Sequence, residues 1–255
     1  MVKEDQPKVL LACPVYDGKD YIIERFIKRV RELTYENYDI LLVDNSKTND
    51  FAKKIKSLGI NVVKLKWDEN SKKRLVISRN YIRDYVLENG YDYFFSLECD
   101  LVPPRDIIEK LLAHKKKVVG GWYYICAIPY IRPCLAREWT LVNMQFAFKE
   151  ELFEKMAKTK LMKVLQGSFG CCIIHRDILE QIRFKTYITM PHPEDTWFYL
   201  DCEKKGIEVY VDTDLLIPHF QDYKWDELVK KNKIEDLKQM KHKEDEFKYE
   251  VVDIN

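Results

Sequence analysis

Tyr93-Phe94-Phe95-Ser96-Leu97-Glu98-Cys99-Asp100 is the stretch on which the fold turns. It is an apolar run that stops at two acids separated by one residue. A short run of this kind, bounded by polar residues, reads as a buried strand. Open α/β sheets bind ligands outside the carboxyl ends of their strands, and Glu98 and Asp100 stand at that end. A hard divalent cation, Mn2+ or Mg2+, takes oxygen ligands of this type. Acids that merely cap a strand in solvent are common too, so the triplet needs support from elsewhere in the chain.

Working outward, strands and helices alternate through the first half. Val9 to Cys13 reads as a strand ending at Pro14, and Tyr21 to Leu33 has helical spacing. Tyr38 to Val43 is a second strand, closed by Asp44-Asn45-Ser46. Phe51 to Leu58 is a short helix with Gly59 at its end, and 60–67 is a third strand. Arg74 to Glu88 is a helix stopped by Asn89-Gly90. The fourth strand is 91–97, and Pro103-Pro104 opens the next helix. This alternation predicts an α/β fold with a mostly parallel central sheet flanked by helices. Beyond it, strands are expected at 118–119, 122–128, 170–174 and 207–211, and helices at 149–158, 176–182 and 194–205. With no repeat and no linker rich in Gly, Ser or Pro, residues 1–222 read as one domain. The polar remainder, 223–255, carries a thin apolar stripe at Trp225, Leu228, Val229, Ile234 and Leu237. It suits a helical tail packed on the body or on a partner better than a basic membrane anchor.

Composition narrows the class. The 255 residues are 46% hydrophobic and 33% charged, the balance of a soluble enzyme. Lys and Arg total 43 against 42 Asp and Glu, which argues against a nucleic-acid partner. No apolar run reaches membrane-spanning length, and the polar start, Met1 to Lys8, is too short for a secretory signal. The 7 cysteines form no Cys-x-x-Cys pair, and several lie in apolar runs. Free buried thiols in a reducing cytoplasm are the expectation. A Gly-x-Gly-x-x-Gly after the first strand, a phosphate-cradling loop, His-Glu-x-x-His and a nucleophile elbow are all missing. The nearest match to the last, Gln166-Gly167-Ser168-Phe169-Gly170, lacks its first glycine.

Two distant features support the acid triplet. His192-Pro193-Glu194-Asp195 opens a helix, where acids serve either chemistry or the helix dipole. Pro218-His219-Phe220 follows the last strand, and His219 is a candidate metal ligand.

Taken in order, these elements resemble the family 2 glycosyltransferases of the GT-A fold, over residues 8 to 222. The series runs Cys13-Pro14-Val15-Tyr16, Asp44-Asn45-Ser46, Ser78-Arg79-Asn80 and Glu98-Cys99-Asp100. It continues with Gly120-Gly121-Trp122-Tyr123-Tyr124, Gly167-Ser168-Phe169-Gly170, Glu194-Asp195-Thr196-Trp197 and the stretch from Asp212 to His219. The resemblance implies an inverting, metal-dependent transfer of sugar from a UDP- or GDP-linked donor to a hydroxyl on a glycan, lipid or other acceptor. Pro14, Val15 and Tyr16 would then hold the nucleoside, Asp44 the base or ribose, and Arg79 the base or diphosphate. Asp100 would be the main ligand of Mn2+ or Mg2+, His219 a second, and Glu98 would touch the ribose or a metal-bound water. Asp195 would be the catalytic base, with Glu194 orienting the sugar or acceptor and standing next in line for that role. Trp122, Tyr123 and Gly170 would line the sugar or acceptor pocket. Two features depart from the family: Glu98-Cys99 stands where Asp is usual. Tyr199 to Glu203 also lacks the family's basic residues one turn after the acid pair.

The competing reading is a non-catalytic sugar-nucleotide-binding or scaffolding subunit on the same fold. The presence of both Asp195 and His219 argues against it, because a binder has no use for a base.

Overall fold

Val9–Val15 (β1) alternates its side chains between two cores, as a strand covered on both faces must. Val9, Leu11, Cys13 and Val15 face one helical layer, and Leu10 and Ala12 face the other. The structure is a computed structural model that describes residues 6–127, 130–133, 158–190, 192–220 and 249–254.

β1 is flanked by Tyr38–Asp44 (β2) and Tyr93–Leu97 (β4), both parallel to it, and Asn61–Leu65 (β3) lies parallel beyond β2. Val15 pairs with Asp44 and Leu11 with Phe95, so the three carboxyl ends lie side by side. The sheet continues on the far side of β4. Cys171–His175 (β9) runs antiparallel to both β4 and Val118–Trp122 (β5), and Val209–Leu216 (β10) is parallel to β5. Leu161–Val164 (β8) closes that edge antiparallel to β10. A short hairpin, Tyr124–Ala127 (β6) with Tyr130–Pro133 (β7), stands apart from this sheet. At the opposite edge Val251–Val252 (β11) pairs antiparallel with β3. Among the described residues these nine strands form one sheet, parallel from β3 to β4 and mixed beyond.

Ile23–Arg31 (α1), Asp50–Ser57 (α2) and Ile107–Ala113 (α4) contribute to the first core. On α1 the buried residues are Ile23, Phe26, Ile27 and Val30, one face of a helix, each worth roughly 1.5–3 kcal/mol of burial. Ser71–Glu88 (α3), Arg176–Gln181 (α5) and Glu194–Lys204 (α6) cover the other face. α3 begins three residues before the position predicted from periodicity. Asn70 caps it, its side chain accepting from Lys73 N at 3.1 Å. Gly59, at φ +74°, closes α2 in the left-handed conformation that favours glycine.

Several expectations shift. Pro103-Pro104 does not open α4 directly, because its first helical residue is Ile107. The strand predicted at 207–211 extends to Leu216, and β8 was not foreseen. The helix expected over 149–158 falls almost wholly outside the described residues, as does most of 223–255. Where the tail is described it is no helix: Val251–Val252 is an edge strand. No described helix is long and apolar enough to cross a membrane.

Candidate active site

The carboxyl ends of β1, β2 and β4 and the start of α3 enclose a cleft of about 340 Å³, within the usual range for a small-ligand site. Pro14, Tyr16 and Lys19 line it from the first loop and Asn45 from the second. Ser71, Arg74 and Arg79 come from α3, and Glu98, Cys99 and Asp100 follow β4.

Asp100 is 4% exposed. Backbone pairing carries the 218–220 segment alongside it: Phe220 N donates to Asp100 O at 2.8 Å, and Val102 N to Pro218 O at 3.1 Å. His219 Nε2 thereby comes to 3.4 Å from Asp100 Oδ2, which also accepts from Lys19 Nζ at 2.5 Å. Burial alone would raise the Asp100 carboxyl, but the contacts to His219 and Lys19 outweigh it and hold it below the usual range. Asp100 Oδ1 is buried without a hydrogen-bond partner among the described residues. Such an oxygen bears an uncompensated desolvation cost, which a cation would relieve. The oxygen and imidazole donors of Asp100 and His219 therefore fit a divalent metal. No group of three such side chains exists among the described residues.

Arg79, 1% exposed, links the rest of the site. It donates from Nε to Glu194 Oε1 at 3.1 Å, from Nη1 to Ser96 Oγ at 2.8 Å and from Nη2 to Glu98 Oε1 at 3.5 Å. Burial opposes its charge, but Glu194 and Glu98 overcome that and raise its pKa. Glu98 is held above the ordinary carboxylate range, by burial first and by Asp100 second. Asp195, beside Glu194 in the first turn of α6, accepts from Thr196 N at 2.6 Å. Burial and then the Glu194 charge push the Asp195 carboxyl up to about 7. That value suits a group that must accept a proton near neutrality. Cys99, between the two acids, is no nucleophile: a hydrogen bond with Cys13 and burial raise its thiol well above the usual range.

The sequence-predicted residues thus divide. Asp100, His219, Glu98, Arg79, Glu194, Pro14 and Tyr16 line the cleft or touch residues that do, and Asp195 adjoins them. The other five sit elsewhere. The Val15 side chain packs in the core, leaving only its main chain at the strand end. Asp44 is wholly buried, accepting from Ser46 Oγ at 2.5 Å and facing Lys64 Nζ at 3.6 Å, while the adjacent Asn45 lines the cleft. Trp122 is a packing residue, its Nε1 donating to Thr213 O at 2.9 Å. Gly170 lies under Tyr123, and its carbonyl accepts from Glu98 N at 2.8 Å, which fixes the acid rather than walling a pocket. Tyr123 packs edge-on against His219 at 4.9 Å and so steadies the imidazole. Lys19, Ser71 and Arg74 were not foreseen as lining residues. A lone Lys after a strand has no sequence signature, Ser71 stands in the unforeseen first turn of α3, and Arg74 opens the predicted helix but belongs to no motif. Cys13, Cys99, Cys171, Cys172 and Cys202 are free and buried, as expected.

An open α/β sheet with an acid-rimmed cleft beyond its parallel strands is the GT-A architecture, and solved structures bear this out. The chain is similar to a mannosyltransferase from Pyrobaculum calidifontis in complex with GDP-Man and Mn2+. That match has a TM-score of 0.58 at 11% identity, over 87% of this chain and 59% of that one. It is also similar to GalNAc-T7 with UDP, GalNAc and Mn2+, with a TM-score of 0.65 at 12% identity, over 87% of this chain and 45% of that one. The chain therefore spans about half the length of these structures. Among curated protein sequences none matches. The glycosyl transferase family 2 model matches residues 12–183, and the chain belongs to that family.

Proposed function

We propose that the protein transfers a sugar, with inversion, from a nucleoside-diphosphate sugar carrying uridine or guanosine to an acceptor hydroxyl, with a divalent cation. The observation that carries this reading is the convergence of Asp100, His219, Glu98, Arg79, Glu194 and Asp195 around one cleft. Six polar groups from four separate chain segments meet there.

Pro14, Tyr16 and Asn45 line the end of the cleft that suits a nucleoside, and Glu98 lies within reach of a ribose. Asp100 and His219 would hold Mn2+ or Mg2+, which offsets charge on the departing diphosphate. Asp195 takes the proton of the acceptor hydroxyl as that oxygen bonds to the anomeric carbon. The bond from that carbon to the diphosphate oxygen breaks, and its electron pair leaves with the nucleoside diphosphate. Arg79 holds Glu194 in place beside the base. One similar structure is in complex with GDP-Man and Mn2+ and the other with UDP, GalNAc and Mn2+, which supports the donor class and the cation.

The test is thermal unfolding against UDP, GDP and their sugars, each with and without Mn2+ or Mg2+. A ligand that binds only the folded state raises the melting temperature. A selective, metal-requiring shift is expected, and the anomeric configuration of the product by NMR checks inversion. A flat response to every nucleotide would overturn the donor assignment. Binding without turnover for any acceptor would favour the non-catalytic subunit.

A further inference from the structure

The two oxygens of Asp100 are served unequally. Oδ2 accepts from Lys19 Nζ at 2.5 Å and lies 3.4 Å from His219 Nε2, while Oδ1 is buried with no hydrogen-bond partner among the described residues. Lys19 ends a 3-10 turn, Asp17–Lys19, directly after β1. The turn is anchored on both sides: Asp17 N donates to Ser46 Oγ at 2.8 Å, and Lys19 N to Tyr16 O at 2.9 Å. A Cβ on Gly18 would meet the exposed Tyr16 ring, which would have to turn aside. The following residue, Asp20, pairs with Lys54 at 2.8 Å. The turn thus directs Lys19 into the cleft, where its side chain is 26% exposed against 6% for Asp100.

We infer that Lys19 is a resident counter-ion. It holds Asp100 until a divalent cation takes the carboxylate, and its freed ammonium then pairs with the donor's diphosphate. This rests on the reading of Asp100 as a metal ligand. An ammonium and a divalent cation repel one another and compete for the same oxygen. Lysine's charge rides on a flexible stem with rotatable donors, so it can change partners without moving the backbone. Diphosphate oxygens that the cation does not take keep negative charge, and they give Lys19 a new partner inside the same cleft. The exchange also prevents Asp100 from standing as an uncompensated buried charge before the ligand arrives.

The experiment is a titration of Mn2+ into the full chain without nucleotide, read by the electron paramagnetic resonance of free Mn2+. UDP and GDP binding in saturating Mn2+ is then measured by calorimetry. Lys19→Met should tighten Mn2+ about tenfold or more by removing the competitor, and weaken nucleoside diphosphate about tenfold. Opposite signs from one substitution are not what a merely structural lysine would give. Lys19→Gln, which keeps a donor for Asp100, should give the same two shifts in smaller measure and serves if Lys19→Met does not fold. Lys54→Met removes an exposed neighbouring lysine and should move neither value. Unchanged or weaker Mn2+ binding in both Lys19 variants would overturn the proposal, and so would tighter Mn2+ with unchanged nucleotide binding. Failure of wild type and variants alike to bind Mn2+ would instead remove the metal reading of Asp100.

Discussion

Arg79 donates to Glu194 across 3.1 Å and so ties the middle of α3 to the first turn of α6. Both side chains are nearly inaccessible to solvent, at 1% and 4%. Removing one partner of such a pair leaves the other charge buried and unmatched. Arg79→Met is therefore expected to cost about 3–5 kcal/mol in urea unfolding and to abolish transfer. Arg79→Met with Glu194→Gln should recover part of that stability without restoring activity. An additive double mutant would show that the two side chains do not depend on each other.

The Asp195 carboxyl, raised to about 7, makes a pH prediction of definite sign. Below that value it is protonated and cannot act as base, so the transfer rate should fall on the acid side with a midpoint near it. Stability runs the other way. The folded state holds this proton more tightly than the unfolded chain, so stability is lost as pH rises from the ordinary carboxylate range towards about 7. Asp195→Asn removes that loss. It should raise the melting temperature at neutral pH and not at pH about 4, while abolishing transfer and sparing nucleotide binding. Initial rates and melting curves across pH check both halves. Retained turnover in Asp195→Asn would move the base to Glu194.

The metal assignment predicts a conditional loss. Asp100→Asn should eliminate the part of nucleotide binding that needs metal. At ligand concentrations about a hundredfold above the dissociation constant, that part stabilises the wild type by about 2.7 kcal/mol. His219→Gln should weaken it less, because Asp100 remains. Thermal shifts with and without Mn2+ separate the two contributions, and an unchanged metal requirement in Asp100→Asn would reassign the ligand.

What the sequence disclosed followed from local physics. The Tyr93 to Leu97 run and the periodicity of Ile23, Phe26, Ile27 and Val30 are short-range patterns, and both elements stand where they were predicted. The acids after β4 and His219 are legible as candidates through their order along the chain with the Glu194-Asp195 pair, since each taken alone has an ordinary structural reading. Features set by tertiary pairing were not legible. β8 is a four-residue edge whose Leu161-Met162-Lys163-Val164 pattern is too short to stand out, and it exists because β10 supplies a partner. The resemblance puts Asp44 near the base or ribose, whereas its side chain is wholly buried. Its buried carboxylate faces Lys64 of β3, a partner twenty residues on that only the pairing of β2 with β3 brings near. Trp122 reads in the sequence as a pocket residue, and the hydrogen bond from its indole to Thr213 O on the neighbouring strand β10 is set by tertiary pairing that the sequence does not show.

Two glycines of the far half should behave differently on substitution. A Cβ on Gly120 would overlap the carbonyl oxygen of Cys171, main chain of β9 that cannot swing aside. Gly120→Ala should therefore cost about 1–3 kcal/mol through overpacking, with metal affinity little changed. A Cβ on Gly170 would meet the Tyr123 ring, at 2.7 Å from Cε1 and Cζ. That ring is 4% exposed and packs on His219 at 4.9 Å, so it must press on the imidazole. Gly170→Ala should lose less stability than Gly120→Ala yet weaken metal-dependent nucleotide binding. Adding Tyr123→Phe to Gly170→Ala removes the hydroxyl that meets the new methyl group, and should recover part of the binding. Equal loss of binding in both single variants would mean that Tyr123 does not transmit the displacement to His219.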